Sequence, residues 1–340
     1  MPDLDRAVVI WALAALGTGG AIGAAAPDPR HGLEVVATGV PRPLQLALDG
    51  RTLVVLSPGK AGDVAGEIHR VDLTGPLPVD LTREPRVRIP YTDARMAARG
   101  SLALDPTTGE LFLGEENGRR IYRLSSDERL ALYGVGLRRL VGGSSLAFDH
   151  LGRLLALDYI DPTVSPEDDR GPPGLEDLRD EDYRGPLLLA LAMEATVPLP
   201  RHLDRLAPMF PRAWGGRRGG ALLPRLISLA PLPDGGLTLL SSVGELFRLA
   251  SDGALASFAR LPAGRGEYNR TNLAVAPDGS VFVSTGFHVG RIFRVSPDGA
   301  VTTVIGNLGD PEGLALDGAG YLYIAESSFH RIVRLKPAEL

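Results

Sequence analysis

Glu312 stands directly ahead of the phrase "GLALDGAGYLYIAESSFHR", which holds a second carboxylate at Glu326 and an imidazole at His330. Comparable polar residues follow other short apolar runs: Glu115, Glu116 and Asn117 in "GEENGRR", Asp158 and Asp161 in "LDYIDP", Phe287 and His288 in "TGFHVG". Ahead of further apolar runs come Arg42, Arg99, Ser144, Arg225, Arg270 and Asn272. Gathered in one place, these carboxylates, amides, imidazoles and guanidiniums suit a small polar ligand or a divalent cation. The chain has no cysteine, which excludes disulfides, thiol catalysis and any cysteine-ligated zinc. Each candidate also has a plainer role. Glu326, Asp158 and His330 sit just after apolar runs, where a turn needs a hydrogen-bonding group, and Glu115 lies in a polar loop.

Whether these residues meet depends on the elements that carry them. The phrase at 311 to 335, "PEGLALDGAGYLYIAESSFHRIVRL", returns at 272 to 295 as "NLAVAPDGSVFVSTGFHVGRIFRV" and at 101 to 124 as "SLALDPTTGELFLGEENGRRIYRL". Weaker copies begin near 44, 145 and 228. The leading position of the copies is then Gln45, Ser101, Ser145, Ser228, Asn272 and Gly313, about forty residues apart with two longer gaps, the size of a four-stranded propeller blade. Within each copy, five- or six-residue runs of alternating character flank a Gly turn with Asp or Pro, the pattern of an antiparallel meander. The reading is all-β, a six-bladed β-propeller. "LEVVATGV" at 33 to 40 is expected to supply the outer strand that the last copy lacks, which removes a free sheet edge. In that architecture the links entering the inner strands and those joining second to third strands share one end of the central channel. Glu312, Asn272, His288, Asp158, Glu115, Glu326 and Arg225 are therefore the ligand-binding candidates.

The "GLA-x-D-x-x-G-x-LYVA-D" character of the copies resembles NHL repeats and the senescence marker protein/gluconolactonase-like propellers, over roughly residues 33 to 336. The resemblance implies one divalent metal at the channel mouth, of the hard-cation type such as Ca²⁺, held by Glu, Asn and Asp directly before "GLA". Those positions are Leu44, Gly100, Ser144, Ile227, Thr271 and Glu312 here. Glu312 matches, Asn272 is displaced by one residue, and Asp158 can contribute from a neighbouring loop, so these three form the expected metal set.

One long departure, about 161 to 224, interrupts the third copy. Its acid-, Pro- and Gly-rich first part reads as an exposed loop, "PLLLALAME" as the displaced third strand of that blade, and "LPRHLDRLAPMFPRAWGGRRGG" as a partly helical cover. Residues 1 to 26 contain the apolar stretch "AVVIWALAALGTGGAIGAAA" and read as an export signal, or alternatively a membrane anchor; 27 to 340 read as a single domain. A net charge of -5 gives no electrostatic reason for a nucleic-acid partner. The expectation is a secreted or periplasmic monomer that binds a small polar molecule or a protein partner and requires no cofactor, although its channel mouth could take a divalent cation such as Ca²⁺. Two enzymatic alternatives stand beside it. One is a metal-dependent lactonase or hydrolase; the other is a quinone-dependent sugar oxidoreductase with His288 as base and arginines as anion anchors.

Overall fold

In the stretch "TLVVLS", the strand Thr52–Ser57, the four consecutive residues Leu53 to Leu56 are all fully buried. Successive side chains of a strand point to opposite faces. Leu53 and Val55 accordingly join a cluster with Ala315, Tyr323 and Ile332, and Val54 and Leu56 join another with Leu102, Leu111 and Leu113. A strand covered on both faces reads as a continuous apolar run, and each large side chain buried this way contributes about 2 kcal/mol. In a computed structural model of the chain, this arrangement repeats around a ring. The structure describes residues 32–59, 65–90, 99–115, 120–135, 145–158, 187–191, 201–202, 204–205, 226–263, 268–286 and 289–336.

Six sheets make the six blades. From the inner strand outward, blade one holds Gln45–Asp49, Thr52–Ser57, Ala65–Asp72 and Arg86–Pro90, and blade two Arg99–Leu104, Leu111–Glu115, Arg120–Leu124 and Leu130–Val135. Blade three holds Leu146–Phe148, Leu154–Asp158, Leu187–Leu191 and Asp204–Arg205; blade four, Leu226–Pro231, Leu237–Ser241, Glu245–Leu249 and Leu255–Arg260. Blade five holds Leu273–Val275, Val281–Ser284, Ile292–Val295 and Val301–Ile305. Blade six combines Pro311–Leu316, Leu322–Glu326 and Arg331–Leu335 with the N-terminal strand Glu34–Thr38, whose register runs from Glu34 opposite Arg334 to Thr38 opposite Arg331. Each inner strand neighbours that of the next blade, and the inner strand of blade six neighbours that of blade one. Six apolar clusters fill the six seams.

The first-to-second hairpins are fixed by their acids and glycines. In "PDGS", Gly279 takes a φ of 82°, and the Asp278 carboxylate accepts the Ser280 N–H at 2.8 Å, which helps hold that carboxyl below the usual range. These turns collect at one end of the channel, the turn end. The second-to-third links and the links between blades collect at the other, the link end.

Two features differ from the sequence reading or add to it. Within the stretch expected as a partly helical cover, Arg201–His202 and Asp204–Arg205 are short strands. The first pairs in parallel with Gly134 and Val135 of blade two, and the second completes blade three against Leu189 and Ala190. Unsatisfied edges of two adjacent sheets thus recruit this segment as strand. Blade one does the same: Val79–Asp80, between its third and outer strands, pairs in parallel with Ala37 and Thr38 at the edge of blade six. "PLLLALAME" provides the third strand of blade three at Leu187–Leu191, as expected. The N-terminal 31 residues and 159–186 lie outside the described residues.

Candidate functional site

The leading residues of the six repeats form a buried ring across the channel. Gln45, Ser101, Ser145, Ser228 and Asn272 are each less than 5 % exposed, and Gly313 completes the set. Ser101 of blade two shares a hydroxyl hydrogen bond with Ser145 of blade three. Ser228 of blade four donates to the Thr271 carbonyl of blade five at 2.8 Å. The Asn272 amide donates across blade six to the Gln45 side-chain oxygen of blade one. Gly313 permits that crossing: a Cβ there would lie 2.9 Å from the Gln45 Cα and from the Leu46 nitrogen. Ser284, beside Asn272, accepts the Asn272 N–H at 2.7 Å and donates to the Glu312 carbonyl, tying blade five to blade six.

Glu312 stands one residue toward the link end from this ring and is 1 % exposed. Its neighbours at the same level of the inner strands include Ile227 and Thr271, both fully buried. Glu312 and Asn272 therefore stand on adjacent inner strands of the channel wall, their backbones joined through the Ser284 hydroxyl. Asp158 ends the second strand of blade three opposite Leu187, and Glu115 ends that of blade two opposite Arg99. Their side chains, together with His288 and Arg225, lie outside the described residues.

Glu326 has a different setting. It ends the second strand of blade six, one step beyond the partner of the repeat's leading residue, and the same register position holds Ser57, Glu115, Asp158, Ser241 and Thr285 in the other blades. An oxygen-bearing side chain occurs there in every blade. Where it is described, it fastens the adjoining links. Ser57 donates to the Pro41 carbonyl and accepts the Gly59 N–H, and Ser241 accepts the Glu245 N–H. Thr285 bonds both backbone groups of Arg291. Glu326, fully buried, accepts the Gly309 N–H at 2.9 Å and the Arg331 guanidinium. His330 is likewise structural in its contacts: at a φ of 52°, its Nδ1 accepts the Arg42 N–H at 3.0 Å, while the Arg42 guanidinium holds the Gly59 carbonyl. The glutamine, serines and asparagine of the ring carried a signal in the sequence, since they mark where each repeat begins, but repeats alone do not show that those marks touch.

A hard cation such as Ca²⁺ wants six or more oxygens. The described residues bring one carboxylate, Glu312, to the wall beside the Asn272 amide, whose nitrogen already faces Gln45. Among the described residues no three His, Cys, Asp or Glu converge as a metal site. They do not complete the shell that the metal would need.

No family model matches the sequence, and no curated protein matches it. Solved structures do. A gluconolactonase from Xanthomonas campestris is 20 % identical, with a TM-score of 0.54 over 89 % of this chain and 88 % of its own. A catalytically inactive virginiamycin B lyase from Staphylococcus aureus, solved with quinupristin, is 11 % identical, with a TM-score of 0.52 over 91 % of this chain and 86 % of its own. A protein of unknown function from Bacteroides thetaiotaomicron is 12 % identical, with a TM-score of 0.53 over 89 % of this chain and 74 % of its own. At these identities the likeness concerns architecture, and it agrees with the sheets counted above: the chain is a six-bladed β-propeller, of the fold shared by gluconolactonase-like proteins and virginiamycin B lyase.

Proposed function

We propose that this is an exported propeller that binds a small polar molecule at the link end of its channel. The observation that supports this reading is the buried carboxyl of Glu312 on an inner strand of the channel, its main-chain carbonyl tied through the Ser284 hydroxyl to Asn272. A carboxylate so placed accepts hydrogen bonds from hydroxyl or ammonium groups, and burial strengthens each such contact. The test is a melting-shift screen of polyols, amines and sugar lactones against the full chain and against Glu312→Gln. A ligand that raises the wild-type melting temperature should lose about tenfold in affinity in the variant, the worth of one charge-assisted hydrogen bond. A ligand bound equally by both proteins would remove Glu312 from the site. Export is tested separately by fractionating cells that express the full chain.

The second reading is a metal-dependent lactonase. It draws on the position of Glu312, where the resemblance puts a metal ligand, and on the shared fold with a gluconolactonase. With one described carboxylate available, divalent metal should be held weakly, so the purified protein should carry less than one equivalent. Stoichiometric metal that disappears in Glu312→Gln, along with hydrolysis of a lactone, would put this reading first.

A further inference from the structure

The turn end of the channel contains a cavity of about 310 Å³, on the far side of the buried ring from Glu312. All six inner strands contribute to it. Its walls include Leu46, Leu102, Leu146, Phe148, Leu229 and Leu314, and its inner end is formed by Gln45 and Asn272. It adjoins a wider vestibule of about 450 Å³, with which it shares Phe148 and Pro231.

Gln45 makes this cavity more than a packing defect. It is 3 % exposed, and its side-chain oxygen is engaged by Asn272. Its Nε2 makes no hydrogen bond to any described residue, although the side chain lines the cavity. Facing the open cavity, that nitrogen keeps contact with solvent and can donate to water or to the acceptor of a ligand that displaces it. An apolar chamber ending in one such donor fits a molecule with an apolar body and one acceptor at its tip. The charge around the entrance narrows the choice. Asp317 lines the vestibule and forms no ion pair among the described residues, whereas Asp149 there is paired with Arg153 at 2.7 Å; the small net negative charge disfavours an anion. Size narrows it further: scaling from benzene in a cavity of about 150 Å³ gives room for roughly twelve non-hydrogen atoms.

We infer that the turn end of the channel is a second binding site, independent of Glu312, that takes a small neutral carbonyl compound with an apolar body. The carbonyl oxygen accepts from Gln45 Nε2, and the body packs against the leucines and Phe148. Burial of the body in place of weakly held water supplies the affinity, and the amide sets the orientation.

Acetophenone and ethylbenzene share a phenyl body and differ by the carbonyl, so they separate the two contributions. Saturation-transfer NMR on the full chain should show both binding saturably and competing for one site. Gln45→Met keeps the length of the side chain and removes its donor. It should weaken acetophenone about tenfold and change ethylbenzene less than about twofold. Leu104→Trp, at a partly exposed wall position near the entrance, should abolish binding of both. Absence of saturable binding to wild type, independent binding of the two probes, or equal effects of Gln45→Met on both would overturn the inference. Because Asn272 also loses its acceptor in Gln45→Met, that variant is melted first. If it is unfolded, Leu104→Trp and the wild-type competition decide, and retention of either probe by Leu104→Trp overturns the site.

Discussion

Glu326 accepts the Gly309 N–H on one oxygen and the Arg331 guanidinium on the other, with its side chain fully buried. Removing one member of such a pair leaves the other charge poorly solvated, so Glu326→Ala should cost about 3 kcal/mol, read from a urea unfolding curve. Glu326→Gln, which can still accept from Gly309, should cost less. His69 gives a pH prediction. It is 1 % exposed on the third strand of blade one, 3.1 Å from Glu67, which also pairs with Arg86 at 2.9 Å. Burial pushes the His69 imidazole below its ordinary value, more than the hydrogen bond to Glu67 raises it. The folded chain then binds this proton less readily than the unfolded chain, so stability falls as pH drops below about 6.5. His69→Gln should flatten that slope in denaturant midpoints compared at neutral and mildly acidic pH; an unchanged slope would assign the acid sensitivity elsewhere. Much of this was hidden in the sequence. Glu326 and Glu312 are both acids in the best-preserved repeat, and a register, not a residue type, makes the first a fastening and the second a channel-wall group.

The strand Glu34–Thr38 closes blade six, and its central residues Val36 and Ala37 are fully buried in the seam with blade one. Val36→Asp places an unpaired carboxylate in that seam and should leave little folded protein, measured by the loss of a cooperative melting transition. Val36→Ala should cost about 2 kcal/mol and keep the transition. This closure was legible beforehand because "LEVVATGV" has the apolar run that the last repeat lacks, and the third strand of blade three was legible in "PLLLALAME" for the same reason. The parallel pieces Val79–Asp80 and Arg201–His202 were not. Two residues are too few to show a period, and what makes them strands is the open edge of the preceding blade, which no local pattern records.

At the scale of the whole ring, the inner strands of blade six and blade one approach closely where Gly313 lies against the Gln45 backbone. A larger side chain has only backbone to push on, so Gly313→Val should force the inner strands apart and cost about 3 kcal/mol, read from urea unfolding. The Gln45 to Asn272 hydrogen bond would break with it, and acetophenone binding at the turn end should fall in parallel. The ring was readable as a count of repeats, but its cross-links join residues far apart in the chain, such as Gln45 and Asn272, and no local spacing predicts them. The pairing of Glu34 with Arg334 joins residues 300 positions apart. During synthesis at about 5 to 20 residues per second, the first strand made would wait roughly 15 to 60 seconds for the last. For that interval "EVVAT" is an apolar strand with no partner, and the cell must keep it from finding the wrong one.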